Sequence, residues 1–185
     1  DSEPIFARLL DPDAGFFSIA PPQSKLSQTQ WSQRYLENTN ILITEATLSS
    51  GESFRITDFC PRYEDGSRTL RPPEVIRMVE PISGLPEIEV LFRPIKGWSK
   101  EAAPFLFSED GPPVKLVASM PMAYVNERSF PLREKIYFKL SWGTSSGDPL
   151  ASQCEHALRA TQDYWISWVK HCSIPTLFQK QTIRS

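Results

Sequence analysis

The chain has 185 residues, with 20 Lys and Arg against 22 Asp and Glu, a formal net charge of -2 and 40% hydrophobic content. A chain of this length buries roughly 70% of the surface it would expose unfolded, so a single soluble core forms without disulfide or metal staples. The near-balanced charge argues against a nucleic-acid or anionic-membrane partner, and no apolar run reaches the ~18 residues that span a bilayer.

An apolar segment, Pro4 to Leu10, is followed by the turn cluster Asp11, Pro12 and Asp13. Phe16 to Ala20 is strand-like and stops at Pro21 and Pro22; Gln30 to Tyr35 half-alternates. Ile41 to Leu48 and Ser53 to Phe59 flank Ser49-Ser50-Gly51-Glu52, a hairpin signal. Arg62 to Pro73 is polar and reads as an exposed loop. Glu74 to Val79 and Pro86 to Arg93 follow as strands around Ser83-Gly84. In the second, Ile88, Val90 and Phe92 face one way and Glu87, Glu89 and Arg93 the other, the period-2 pattern of a sheet with one wet face.

Phe105 to Phe107, Val114 to Ser119, Ala123 to Val125 and Ser129 to Leu132 are short strand candidates. The clearest strand comes last: Ile136, Phe138, Leu140 and Trp142 alternate with Tyr137, Lys139 and Ser141. Roughly nine or ten closely spaced strands with almost no helix before residue 150 predict a mainly β chain, an antiparallel β-sandwich whose apolar faces cover one another. With 17 prolines against 8 glycines, its connections are expected to be short and stiff.

After Gly147-Asp148-Pro149 the period changes. Ser152 and Glu155 have capping-box spacing, and Ala157, Leu158, Thr161, Tyr164, Trp165, Trp168, Val169 and Cys172 recur at helical spacing until Pro175. This predicts an amphipathic helix of about 20 residues, with Thr176 starting another. His156 and His171, the chain's two histidines, then lie about 22 Å apart, too far to share a metal or a proton relay. Cys154 and Cys172 sit on the same helix about 27 Å apart, which leaves Cys60 as the one intramolecular partner for either. Three cysteines and no visible signal peptide on a chain that opens at Asp1 fit a reducing, cytoplasmic location.

The catalytic vocabulary is sparse. Glu87 and Glu89 lie on one strand face about 6.6 Å apart, close to the ~6.5–9.5 Å of an inverting glycosidase's carboxyl pair, but any Glu-x-Glu on a solvated face gives that spacing. Asp58 reads as a strand-end carboxylate bonded to turn amides, and Glu64, Asp65, Glu109 and Asp110 as turn residues. No Gly-rich phosphate loop, zinc-spaced cysteine pair or Gly-x-Ser-x-Gly elbow occurs, so no cofactor, metal site or catalytic residue is assigned. Among the aromatics, Trp31 and Trp142 are expected in the core. Trp98, in Lys96-Gly97-Trp98-Ser99, is either a loop anchor or the one candidate substrate-binding residue, with Tyr63 as a second loop aromatic. The Tyr164, Trp165 and Trp168 stripe packs the helix either on this sandwich or on another domain.

Several runs resemble a known family. Ser2-Glu3-Pro4-Ile5-Phe6-Ala7-Arg8-Leu9-Leu10-Asp11, Arg34 to Leu42 (Arg-Tyr-Leu-Glu-Asn-Thr-Asn-Ile-Leu) and Arg55-Ile56-Thr57-Asp58-Phe59-Cys60-Pro61 look like the N-terminal β-sandwich of glycoside hydrolase family 15 proteins of the bacterial glucoamylase and trehalase-like type. Ile76 to Gly84, Leu91-Phe92-Arg93-Pro94 and Thr161 to Trp168 are similar to that domain's later strands and linker helix, and Gln181 to Ser185 to the entry of its catalytic domain. The resemblance implies a large, supersandwich-like β-sandwich over residues 1–149, a linker helix over 150–174 and the start of a following domain over 175–185. It also implies that the chemistry, inverting hydrolysis of α-glucosidic bonds by two glutamates, belongs to a C-terminal α/α-barrel outside this sequence. No catalytic residue is carried over, Glu87 and Glu89 included. The expected partners are that barrel and, through the parent enzyme, an α-glucoside or α-glucan. A carbohydrate-binding module using Trp98 and Tyr63, and an assembly domain forming a homo-oligomer, are the alternatives. The segment that usually precedes Ser2 in that domain, with its Asp-Trp motif, is missing, which points to an open sheet edge.

Overall fold

A computed structural model describes residues 4–99, 101–102, 114–142, 148–172, 179 and 182. It begins with β1 (Phe16–Ala20), the one-turn helix α1 (Gln23–Leu26) and β2 (Gln30–Tyr35). The hairpin of β3 (Leu42–Thr47) and β4 (Ser53–Phe59) is followed by a smaller one, β5 (Tyr63–Asp65) and β6 (Arg68–Leu70). The long β7 (Glu74–Ser83) leads to β8 (Glu87–Arg93), and β9 (Ile95–Lys96) pairs with β10 (Glu101–Ala102). Then come β11 (Val114–Ala118), β12 (Phe130–Pro131), β13 (Ile136–Trp142) and the helix α2 (Leu150–His171).

Two antiparallel sheets face each other: a six-stranded sheet in the order β11-β13-β7-β4-β3-β2 and a three-stranded sheet in the order β1-β8-β12. The expected sandwich is therefore present. Alternation decides which residues meet in the middle. Phe54, Ile56, Val79 and Phe138 of the large sheet join Ile88 and Val90 of the small one in the main core. The other face of the large sheet carries Ile43, Phe59, Ile76 and Met78, and α2 lies over it with Cys154 and Ala157 buried among them. Both faces of the large sheet are thus dry at their centres, and the molecule has three layers: sheet, sheet, helix.

β7 and β8 are consecutive in sequence but belong to different sheets, so the Ser83-Gly84 turn (Gly84 φ 66°) carries the chain across the sandwich rather than closing a hairpin. At the β3–β4 turn the expected hairpin does close, with Gly51 at φ 88° and the Leu48 N–H donating to Glu52 O at 2.9 Å.

Four expectations need correction. The Arg62 to Pro73 loop contains the β5–β6 hairpin, turned at Gly66 with φ 59°. Ala123 to Val125 is not a strand: Met122–Tyr124 forms a 3₁₀ turn. The capping box is unused, because α2 starts one turn earlier with Pro149 at its cap position, and Glu155 engages the sheet instead. Trp31 is 43% exposed on the edge strand β2, its ring edge against Phe54 with centroids 6.2 Å apart. Trp142 is half-buried at the end of β13. The strand expected at Phe105 to Phe107 lies outside the described residues; of the helix expected from Thr176, Gln179 and Thr182 are described, both helical.

Candidate functional site

Two of the candidate acids, Glu87 and Asp58, are tied to cations. Glu87 accepts from Lys25 Nζ at 2.8 Å and from Ser129 Oγ at 2.6 Å, joining α1, β8 and the segment before β12. The Lys25 hydrogen bond, helped by that from Ser129, holds its carboxyl below the usual range. Glu89 lies opposite Ala20 of β1. Asp58 does not bond turn amides. It sits in register with Arg77, whose Nε and Nη2 reach its two carboxylate oxygens at 2.8 and 3.3 Å. The third arm of Arg77 donates to Phe17 O at 2.8 Å in the opposite sheet, and its guanidinium lies 4.7 Å from the Phe17 ring centroid. This is a clasp between sheets. Glu64 and Asp65 belong to β5; Glu109 and Asp110 lie outside the described residues.

Trp98 occupies the 3₁₀ turn Gly97–Ser99 and is 63% exposed. Tyr63 is elsewhere: its ring meets His156 of α2 edge-on, with centroids 6.4 Å apart, and lines a groove that Trp98 does not reach. The two aromatics considered for sugar contact are therefore not brought together. His156 and His171 lie fifteen residues apart on one helix as expected, and His171 Nδ1 is 2.7 Å from Ser167 O. Cys60, Cys154 and Cys172 are all free thiols, and burial pushes the Cys154 thiol up to about 11.

Helix α2 divides along its length. Its first half packs on the large sheet through Cys154, Ala157 and Thr161, each buried, and Thr161 Oγ1 accepts the Arg62 N–H at 3.0 Å. Farther along, Tyr164, Trp165 and Trp168 stack edge to face in sequence, with centroids 5.3 and 5.7 Å apart. The Arg62 guanidinium lies 5.0 and 5.2 Å from the first two rings. Trp168 remains 42% exposed. The aromatic stripe thus packs on this sandwich at its start and leaves it at its end.

The same face of the large sheet carries a ladder of alternating charge. Arg55 stands in register between Glu45 and Glu80, 2.7 and 3.3 Å from their oxygens. Lys135 is 3.8 Å from Glu80 and 2.8 Å from Glu155 of α2. Glu155 also accepts from the Tyr137 hydroxyl at 3.0 Å.

At the other end of this face is a groove of about 540 Å³ where the start of α2 passes over β7 and β13. Lys139 lines it, 2% exposed, donating to Gln153 Oε1 at 2.6 Å with Glu74 Oε1 at 3.6 Å. Sequence reasoning missed Lys139, Glu74 and Gln153. The signal available was the polar face of β13 facing a helix that had to cover something, a pairing visible only once the helix is placed.

A trehalase of Thermoplasma volcanium is 26% identical over 204 aligned positions, and a trehalase of Thermoplasma acidophilum is 25% identical over 199. Each alignment takes in 100% of this chain but 31% and 34% of the relative. The chain spans about a third of the length of the curated relatives it matches. No solved structure matches it. The trehalase-like N-terminal family model matches residues 1–127, the stretch that holds both hairpins and most of the sandwich, and the chain belongs to that family.

Proposed function

We propose that this chain is the non-catalytic N-terminal domain of a glucoamylase or trehalase-like hydrolase of glycoside hydrolase family 15, supporting and rimming an α/α-barrel that cleaves α-glucosidic bonds. The carrying observation is the division of α2: its first half is spent on this chain's own sheet, and its second half presents Trp168 to the outside. On this reading α2 is the third layer of the domain, and residues 150–174 are its connector. The free thiols support a cytoplasmic location. An assay of the chain on trehalose, maltose and maltooligosaccharides tests the reading. The expected result is no turnover above background; turnover by the isolated chain sinks the non-catalytic claim.

A second reading, sugar contact through Trp98, is favoured by the 63% exposure of that ring on a three-residue turn. Calorimetry with maltooligosaccharides decides it: heat that disappears in Trp98→Ala supports it, and heat unchanged by that substitution removes it.

A further inference from the structure

We propose that the chain pairs with a second copy of itself through the outer edge of β2, joining two six-stranded sheets into one. Among the described residues no strand lies beside that edge, and all six residues of β2 are exposed. Two other edges are blunted: β12 has two residues and ends on Pro131, and on β1 the Phe17 carbonyl is taken by Arg77. β2 carries no proline or glycine and pairs with β3 without a bulge. Which of its backbone groups point outward follows from the turns at either end of β3. The Leu36 N–H donates to Ile41 O at 2.8 Å, in line with the β2–β3 register, and the Leu48 N–H donates to Glu52 O at 2.9 Å, in line with the β3–β4 register. Both set the same alternation: Gln30, Ser32 and Arg34 bond to β3, and Trp31, Gln33 and Tyr35 turn their backbone groups to the open edge.

A second copy fits this edge because the outward set is symmetric about Gln33. In an antiparallel pair, residues that aim backbone groups at one another stand directly opposite and on one face. With Gln33 opposite Gln33 of the copy, the two exchange N–H···O=C bonds across a two-fold axis, and on each side of that axis Trp31 of one copy falls opposite Tyr35 of the other. These rings are 43% and 40% exposed in the single chain; Tyr35 has a contact of its own within the chain and keeps that exposure nonetheless. Facing one another, they cover apolar surface that each chain alone leaves wet. A shift of register by two residues sets one ring of each copy against glutamine and leaves the other without a partner ring. On the opposite face Arg34 stands across from Ser32 of the copy and not from its own equivalent. Ser32 is in register with Glu45, whose Oε1 is held by Arg55, so the incoming cation passes over a small side chain toward a carboxylate.

This contact goes beyond the non-catalytic reading and does not rest on it, since its test reads mass and not turnover. Sedimentation velocity of the 185-residue chain over a concentration series is the experiment. The expected result is a reversible monomer–dimer exchange with a Kd on the order of 0.1 mM, weak because edge pairing buries less than a standard interface. Gln33→Pro deletes an N–H that the fold does not use, and should weaken the dimer about tenfold or more while the melting temperature stays within ~4 °C. Gln33→Lys gives up one exposed bond to Thr44 and sets like charges face to face on the axis, as does Gln33→Glu; each alone should weaken the dimer about fivefold, and an equimolar mixture of the two should associate again. Four outcomes overturn the proposal: a monomer throughout the series, a dimer that survives Gln33→Pro and Gln33→Lys, no recovery in the mixture, or a dimer lost in Trp168→Ala, which would place the contact on α2.

Discussion

Glu155 accepts hydrogen bonds from two side chains at once, Lys135 Nζ just before β13 at 2.8 Å and the Tyr137 hydroxyl of β13 at 3.0 Å. Burial works against its ionised form, but those two bonds and the Lys135 and Arg159 charges outweigh it and hold its carboxyl below the ordinary value. A carboxyl lowered by folding stabilises the fold above its unfolded pKa, and the gain is lost as pH falls through the folded one. Tyr137 shows the opposite sign. Burial, then the bond to Glu155, pushes its hydroxyl up to about 12, so its contribution is intact below pH 10 and fades between pH 10 and 12. We predict that Glu155→Gln costs about 0.5–1 kcal/mol at pH 7, a figure reduced for its partial exposure, and flattens the acid limb below pH 4.5 in denaturant melts. Tyr137→Phe should flatten the limb between pH 10 and 12. Unchanged limbs would show that the docked helix draws nothing from these bonds. None of this was legible at residue scale in the sequence: Glu155 has capping-box spacing from Ser152, and its partners lie 18 and 20 positions away.

At the scale of elements, the sandwich depends on a few joints between segments distant in sequence. Arg77 spans both sheets with two bonds to Asp58 and one to Phe17 O. Asp58→Asn keeps the shape and should cost about 1–2 kcal/mol, whereas Arg77→Met removes all three contacts and should cost about 3 kcal/mol or more in urea melts. Equal costs would mean that the inter-sheet bond contributes nothing. Gly15 is a second joint. A Cβ there would collide with Ile5 O and stand 2.7 Å from Arg93 O and 2.9 Å from Ile95 N, all backbone atoms. Gly15→Ala should therefore cost more than about 2 kcal/mol, where a surface change costs within about 0.5. Period-2 patterns carried β13 and β8, and the turn Ser49-Ser50-Gly51-Glu52 between two strand-like runs carried the β3–β4 hairpin; all stand where the sequence placed them. The β5–β6 hairpin was missed because two three-residue strands, largely charged and exposed, carry no period. Alternation in β8 marked a buried face but not which sheet the strand joins, since an inward face looks the same from either side of a sandwich. Alternation in β13 named one core face, and the helix made Lys139 and Ser141 on the other face just as dry.

For the whole molecule, the question is whether the helix is an appendage or part of the fold. Without α2, Ile41, Ile43, Phe59, Ile76 and Met78 would lose their cover, and the resulting apolar patch would lie on a sheet whose other face is already the main core. A chain ending at Pro149 is therefore expected to bind a hydrophobic dye and to lose its cooperative melt, while the 185-residue chain melts in one transition. Point substitutions separate the two halves of the helix more finely. Ala157→Asp places an unpaired carboxylate in the second core and should cost ~3–5 kcal/mol. Trp168→Ala, at an exposed position, should shift the isolated chain's stability by no more than about 0.5 kcal/mol. In a longer trehalase-like protein carrying this domain, the connector reading puts a cover on this ring, so the same Trp168→Ala change is expected to lower the melting temperature or the turnover of the whole. Thermal melts of both lengths, wild type and variant, give four numbers. Equal small effects of Trp168→Ala in both lengths would leave the outer half of α2 without a partner and remove the support for the connector reading. A loss confined to the longer protein would place the joint between domains on the face where the aromatic stripe leaves this sandwich.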